Sequence, residues 1–191
     1  MRLWDSLRFR LSGLIGPRMV LGLTRSDGVR LRRVRISNMT RIEHAHKLQL
    51  EDNVFIGHFN MIDASGGLYI GEGCQITNYV SLLTHSSHDT VRLYGAAYLD
   101  HQNHVGYLKK PSVIGDYSFI GPHTLLMPGV RLGKGTLVSA YSRVDAGEYP
   151  DFAILAGNPA QIVGDTRKRD AVFLASHPEL QPLYKAWADE N

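Results

Sequence analysis

From Ile114 onward, aliphatic residues recur at every sixth position: Ile114, Ile120, Leu126, Leu132, Val138 and Val144. Four places after each stands a small or β-branched residue, Ser118, Thr124, Val130, Thr136 and Ser142, until Glu148 ends the series. Gly115, Gly121 and Gly133 directly follow an aliphatic position. An amphipathic helix would bury residues three and four apart, and a lone strand every second residue. A period of six therefore predicts short strands joined by turns of fixed length. The aliphatic side chain points into a narrow three-sided prism, the small residue packs near a corner, and glycine and polar residues make the turn. Three hexads complete one coil, so residues 114–149 supply about two coils of a β-helix. The same spacing occurs earlier in three phases: Ile36, Ile42 and Leu48; Leu50, Ile56 and Ile62; Ile70, Ile76 and Leu82. Each change of phase is two residues, as small bulges at corners such as Gly66-Gly67 would produce.

Three segments depart from the repeat. Residues 1–29 form an N-terminal amphipathic segment, with a helix expected over 1–23 from Leu3, Leu7, Leu11 and Leu14 at helical spacing and Trp4 beside them. Residues 84–112 are a long insertion with four histidines and three tyrosines, and loops of this length in compact domains are usually functional or disordered. Residues 166–191 read as a helical tail: Asp165 is an N-cap candidate, Ala171, Val172, Leu174 and Ala175 carry the apolar pattern, and Pro178 and Pro182 interrupt it. The expected architecture is all-β, a parallel β-helix over 30–165 with the inserted loop, the N-terminal helix and a C-terminal helical cap. Arg30, Arg32, Arg33 and Arg35 alternate in part with Val29, Leu31, Val34 and Ile36, as in an edge strand whose charged side faces water.

Composition narrows the function classes. A chain of 191 residues with 43% hydrophobic and 20% charged content fits one globular domain, and no stretch approaches the run of about 18 apolar residues that a membrane span needs. Arg2, Asp5, Arg8 and Arg10 interrupt the N-terminus where a secretory signal would have an apolar core, so a cytoplasmic location is expected. Basic and apolar residues combined in 1–23 allow peripheral contact with the inner face of a membrane, in competition with packing on the β-helix end. Cys74 is the only cysteine, which excludes an internal disulfide framework and a multi-cysteine zinc site, and it reads as a small core residue. A net charge of +3, without interleaved aromatics or a recognisable module, argues against a nucleic-acid partner.

Two motifs accompany the hexads. Leu83-Thr84-His85-Ser86-Ser87-His88-Asp89 stands where the insertion leaves the prism, and Gly157-Asn158-Pro159-Ala160 follows the last hexads. Together they resemble the hexapeptide-repeat acyltransferases over residues 30–165. The resemblance implies a left-handed parallel β-helix; spacing alone gives no handedness, and parallel crossovers are ordinarily right-handed. It also implies a homotrimer, acetyl-coenzyme A as acyl donor, no metal, and a saccharide acceptor: a surface polysaccharide, its precursor or a small sugar, acetylated on a hydroxyl. The first motif resembles the Ser-His-Asp stretch of the colanic-acid type of polysaccharide O-acetyltransferase, and the galactoside and maltose acetyltransferases carry a Thr-x-His-Pro version. In both groups the histidine is the general base, and its match is His88, with His85 the neighbour that a misalignment of one short step would select. A sugar hydroxyl is a poor nucleophile, and an imidazole with an ordinary pKa of about 6.5 can take its proton at neutral pH. Asp89 or Asp63 would orient the ring.

The resemblance further implies that the donor runs along the coils, past Ala140 and toward Gly157 and Asn158. Relatives place basic residues where this chain has Gln161 and Gly164, so Arg167 and Lys168, with Arg169 beside them, are the substitutes for holding the 3′-phosphate. Phe55 to Asp63 resembles, loosely, the Asn-Phe-Asn run followed by aspartate near the acceptor pocket of galactoside-type enzymes, making His58, Asn60 and Asp63 acceptor-site candidates. Three competing readings remain: an amino-sugar N-acetyltransferase, a zinc enzyme like the γ-type carbonic anhydrases using histidines among His58, His85, His88, His101 and His104, and a non-catalytic β-helix platform.

Overall fold

Each hexad becomes one short strand, and every third strand stacks on the same face. The computed structural model describes residues 16–189 together with Trp4, Leu7, Arg8 and Leu11. The first face stacks Arg30–Ser37, Phe55–Ile56, Gln75–Ile76, Phe119–Ile120, Leu137–Val138 and Ala153–Gly157, all parallel. The second stacks Arg41–Glu43, Met61–Asp63, Ser81–Leu82, Leu125–Leu126 and Arg143–Val144. The third stacks Leu48–Leu50, Leu68–Ile70, Ser112–Ile114, Val130–Leu132 and Gly147–Tyr149. The chain visits the three faces in rotation, which makes a parallel β-helix.

The register pairs like with like between coils, for example Ile56 with Ile76 and Ile76 with Ile120. The hexad aliphatics consequently form continuous columns: Ile56, Ile62, Ile70, Ile76, Leu82, Ile120, Val138 and Val144 are completely buried. Ile42 and Leu48, near the first coil's open end, are only partly buried but pack on the same core. The small residues of the pattern are buried too, and their hydroxyls close the corners: Thr124 Oγ1 donates to Gly121 O at 2.7 Å, and Thr136 Oγ1 to Gly133 O at 2.7 Å. Gly121 is required by close approach between coils, since a Cβ there would lie 2.6 Å from Ala140 N. Cys74 is buried and donates to Gly115 O at 3.1 Å, and burial pushes its thiol up to about 12.

The corner after the first face is built differently from the expected glycine and polar turn. There Phe59, Tyr79, His123 and Tyr141 adopt φ near the left-handed value, 61°, 60°, 59° and 60°. Their rings stack from coil to coil at centroid separations of 5.3, 4.8 and 4.8 Å. A left-handed residue with a Cβ costs roughly 1–2 kcal/mol, and ring stacking of about 0.5–1.5 kcal/mol per pair offsets much of it.

Two sequence expectations are corrected. Helix over 1–23 cannot extend to its end, because Met19–Thr24 is a strand paired antiparallel with Arg30–Ser37. Leu3 and Leu14 lie outside the described residues; Trp4, Leu7 and Leu11 are exposed. That pairing also means the arginine-bearing strand Arg30–Ser37 is not the sheet edge, although Arg30, Arg32, Arg33 and Arg35 do face water while Leu31, Val34 and Ile36 are buried.

The insertion leaves after Leu82 and returns at Ser112. It opens and closes with an antiparallel pair, His85–Ser86 against Leu108–Lys109, and carries the short helix α1 (Thr90–Tyr94) followed by a 3₁₀ turn, Gly95–Asp100. After the last coil, Ala160–Asp165 folds back antiparallel on Ala153–Gly157. Asp165 caps α2 (Thr166–Ser176) by accepting from Arg167 N at 2.8 Å, and a 3₁₀ turn at Pro178–Leu180 leads into α3 (Gln181–Ala188). From α3, Trp187 packs on Tyr117 and Phe152, two further left-handed aromatics on another corner, at 4.6 and 5.7 Å. Among the described residues no helix is long and apolar enough to cross a membrane.

Candidate active site

Asp63 ends a second-face strand, and the register Ile62 with Leu82 sets the start of the insertion against it in the next coil. Its side chain is 1% exposed, and the corner supplies the hydrogen bonds that an ionised carboxylate requires when buried. Oδ1 accepts from Ser65 N at 2.9 Å in a local Asx turn. Oδ2 accepts from Ser65 Oγ at 3.1 Å, Thr84 N at 3.0 Å and Thr84 Oγ1 at 2.8 Å. His85 Nδ1 lies 2.7 Å from the same oxygen. Burial by itself would raise the Asp63 carboxyl; the bonds from Ser65, Thr84 and His85 outweigh it and hold the group well below the usual carboxylate range.

That arrangement defines the state of the His85 ring. A carboxylate only accepts, so Nδ1 is the donor, and in the neutral imidazole Nε2 keeps its lone pair. The side chain is 34% exposed, enough for an external hydroxyl to reach it. Tyr107, arriving from the far end of the insertion, stacks on the imidazole with centroids 5.7 Å apart and planes 14° apart. His44 Nδ1 stands 3.7 Å from Asp63 Oδ1 on the preceding coil. The constellation is therefore an imidazole oriented by a buried anion, able to take a proton at Nε2 and to be stabilised as it becomes charged.

His88 has a different setting. It is 56% exposed, Nδ1 meets Ser86 Oγ at 2.7 Å, and Nε2 lies 3.3 Å from Asp89 Oδ2. Asp89 in turn is engaged by Arg92. His101 and His104 pack against Tyr94 and Tyr98 within the insertion. Among the described residues no group of three or more His, Cys, Asp or Glu is arranged to hold a metal ion.

Of the acceptor candidates, only Asp63 joins this centre. His58 lies on the first corner with Nδ1 2.6 Å from Ser37 Oγ. The Asn60 amide is consumed by that corner: it donates to Gly57 O and Thr77 O at 3.1 and 2.7 Å and accepts from Val80 N at 2.7 Å, a scaffold role. Ala140 and the Gly157-Asn158-Pro159 turn are exposed further along the same corner, where Gly157 N donates to Ser142 Oγ at 3.2 Å; the Asn158-Pro159 peptide is cis. Arg167 and Lys168 sit in the first turn of α2. The Arg167 guanidinium is paired with Asp165 and lies 4.9 Å over the Phe152 ring, whereas Lys168 is exposed. Ser65, Thr84 and Tyr107 were not singled out from sequence. Asp63-Ala64-Ser65 carries a recognisable Asx-turn signal, but nothing local marks Tyr107.

Known proteins share both fold and sequence with this chain. The serine acetyltransferase of Buchnera aphidicola is 30% identical over 130 residues, 68% of this chain and 43% of that protein. Among solved structures, a maltose O-acetyltransferase from Clostridium difficile superposes with a TM-score of 0.52 at 19% identity, covering 66% of this chain and 63% of that one. The chain's homologues are acetyltransferases of the hexapeptide-repeat family. AntD, an N-acyltransferase from Bacillus cereus solved with dTDP and coenzyme A, shares the fold with a TM-score of 0.55 at 19% identity, covering 75% of this chain and 88% of that one. No protein-family model matches the chain. It spans under half the length of the serine acetyltransferases it matches.

Proposed function

We propose that this protein is an acetyl-coenzyme A-dependent O-acetyltransferase that acetylates a saccharide hydroxyl, with His85 as general base and Asp63 as the group that orients it. The observation that carries the reading is the 2.7 Å contact between His85 Nδ1 and the buried Asp63 carboxylate, which leaves Nε2 as the acceptor. Nε2 takes the hydroxyl proton as the sugar oxygen attacks the thioester carbonyl. The C–S bond then breaks, and the imidazolium returns the proton to the departing thiolate, giving the ester and free coenzyme A. Asp63 stabilises the transient imidazolium, as a buried carboxylate does for a catalytic histidine. The donor is read along the first corner, past Ala140 and the Gly157-Asn158 turn, with Lys168 freer than Arg167 to meet its 3′-phosphate.

In this reading the helix is left-handed, the enzyme is a homotrimer in the cytoplasm, and its acceptor belongs to polysaccharide assembly or is a small sugar. The N-terminal segment would bring it to the inner membrane face. The maltose O-acetyltransferase among the solved relatives supports a sugar hydroxyl. AntD, an N-acyltransferase, supports a second reading in which an amine takes that place.

The test is thiol release from acetyl-coenzyme A across a panel of sugars and amino sugars. His85→Ala should lower turnover on the order of 10²–10⁴-fold without a matching rise in KM for the donor, and His88→Ala should be milder. The reverse ranking would move the base to His88. Full activity in both variants would end the reading of this corner as the catalytic centre.

A further inference from the structure

Two lysines, Lys109 and Lys47, stand near His85 without an ion-pair partner among the described residues. Lys109 is the antiparallel partner of His85 in the two-stranded pair that closes the insertion. Directly opposed residues project to the same side of such a pair, with Cβ atoms about 4.5–5.5 Å apart, so Lys109 rises beside the imidazole. It also lines an open groove with Gln102, Asn103, His104, Val105 and Tyr107, the last being the ring stacked on His85. On the other side Lys47 Nζ donates to Ser65 O at 3.0 Å, and Ser65 is the residue whose hydroxyl touches both Asp63 and His85.

Both lysines are exposed, and among the described residues no carboxylate lies within 4.0 Å of either ammonium. Asp63 is not their counter-ion, since its two oxygens are occupied by Ser65, Thr84 and His85. A single Lys47 N–H is spent on Ser65 O, which fixes the ammonium near the base and leaves its other N–H donors for a ligand.

We infer that the acceptor is anionic: a saccharide bearing a carboxylate or phosphate, which Lys109 and Lys47 hold so that a hydroxyl of the same molecule meets His85 Nε2. This rests on the transferase reading and names its substrate class. The polar groove lining, Gln102, Asn103 and His104, suits the remaining hydroxyls, and a purely apolar acceptor would leave those groups and both ammonium ions unanswered.

The test compares glucose, glucuronate and glucose 6-phosphate as acceptors, using the ratio of kcat/KM for each anionic sugar to that for glucose. The wild-type protein should favour the anionic sugars. In Lys109→Gln the ratio should fall on the order of tenfold, as loss of a charge-assisted hydrogen bond at an exposed site implies. Lys47→Gln should move it in the same direction, and Lys109→Arg should keep most of it. A wild-type ratio near unity, or a Lys109→Gln variant that loses all acceptors equally, overturns the inference. So does failure to acetylate either anionic sugar while coenzyme A still binds, an outcome that leaves the transferase reading standing. If calorimetry detects no coenzyme A binding at all, the transferase reading falls and takes the inference with it.

Discussion

Replacing Asp63 by asparagine separates charge from shape at the centre of the site. The carboxylate receives only donors: Ser65 N on Oδ1, and Ser65 Oγ, Thr84 N, Thr84 Oγ1 and His85 Nδ1 on Oδ2. An amide offers one acceptor. With its oxygen at the Oδ2 position its NH₂ faces the Ser65 N–H, and with the opposite flip it faces the other donors. Leaving one buried donor unsatisfied costs about 1–3 kcal/mol, so the first flip is preferred and urea unfolding at neutral pH should show a loss in that range. Because the folded-state carboxyl is held below its ordinary value, Asp63 contributes stability that is present above about pH 4, the ordinary carboxylate value. That contribution is lost as pH falls through the depressed folded value. The stability gap between wild type and Asp63→Asn should therefore be full at pH 7 and shrink only under strong acid. Turnover should fall further than stability suggests, on the order of 10²–10⁴-fold, because a neutral amide keeps Nδ1 as donor yet cannot stabilise the imidazolium. Thiol release measured at a temperature where both proteins are folded gives the comparison. A variant with wild-type turnover would refute the dyad, and one with wild-type turnover but lowered stability would reduce Asp63 to a corner brace.

Gly121→Ala should destabilise by about 1–3 kcal/mol, since its Cβ would lie 2.6 Å from Ala140 N; the urea midpoint reads this directly. Tyr79→Gly relieves a left-handed backbone while removing two stacked contacts, 5.3 Å to Phe59 and 4.8 Å to His123. With about 0.5–1.5 kcal/mol per pair against roughly 1–2 kcal/mol of relief, the net change in melting temperature should be small. Trp187→Ala should release α3 from Tyr117 and Phe152, seen as faster amide exchange over Gln181–Ala188 with the coils unaffected. Cys74, buried with its thiol raised to about 12, should resist thiol-specific labelling until the protein unfolds.

The repeat was legible because the prism is narrow. Each strand must turn its hexad aliphatic into the core, where a large polar replacement would be cut off from water, so Ile114, Ile120, Leu126 and their successors carry a period with no helical or simple-strand equivalent. The strand Met19–Thr24 was not legible for the opposite reason. Its sequence, Met-Val-Leu-Gly-Leu-Thr, is apolar at almost every position and fits either a helix face or a strand, and what decides is the antiparallel pairing with Arg30–Ser37, which no local pattern records. The left-handed aromatics of the first corner were hidden similarly, since each is strained by itself and gains only from the ring one coil away.

The same distinction between local and coil-to-coil information governs the choice of the proposed general base. Read as a string, Ser87-His88-Asp89 is the stronger motif, because an aspartate follows the histidine directly. Read across coils, His85 acquires a carboxylate 22 residues earlier, and that carboxylate is buried, ionised and fixed by Ser65 and Thr84. The exposed Asp89 lies 3.3 Å from His88 and is shared with Arg92. An anion in water-exposed surroundings does little to orient or charge a ring, because solvent screens the pair and both side chains keep their freedom. A buried anion hydrogen-bonded to the ring stabilises the imidazolium more strongly and holds one tautomer. The choice between the two histidines thus rests on which carboxylate the fold removes from water, and the prism does that at Asp63, where the corner of one coil is closed by the first residues of the insertion in the next.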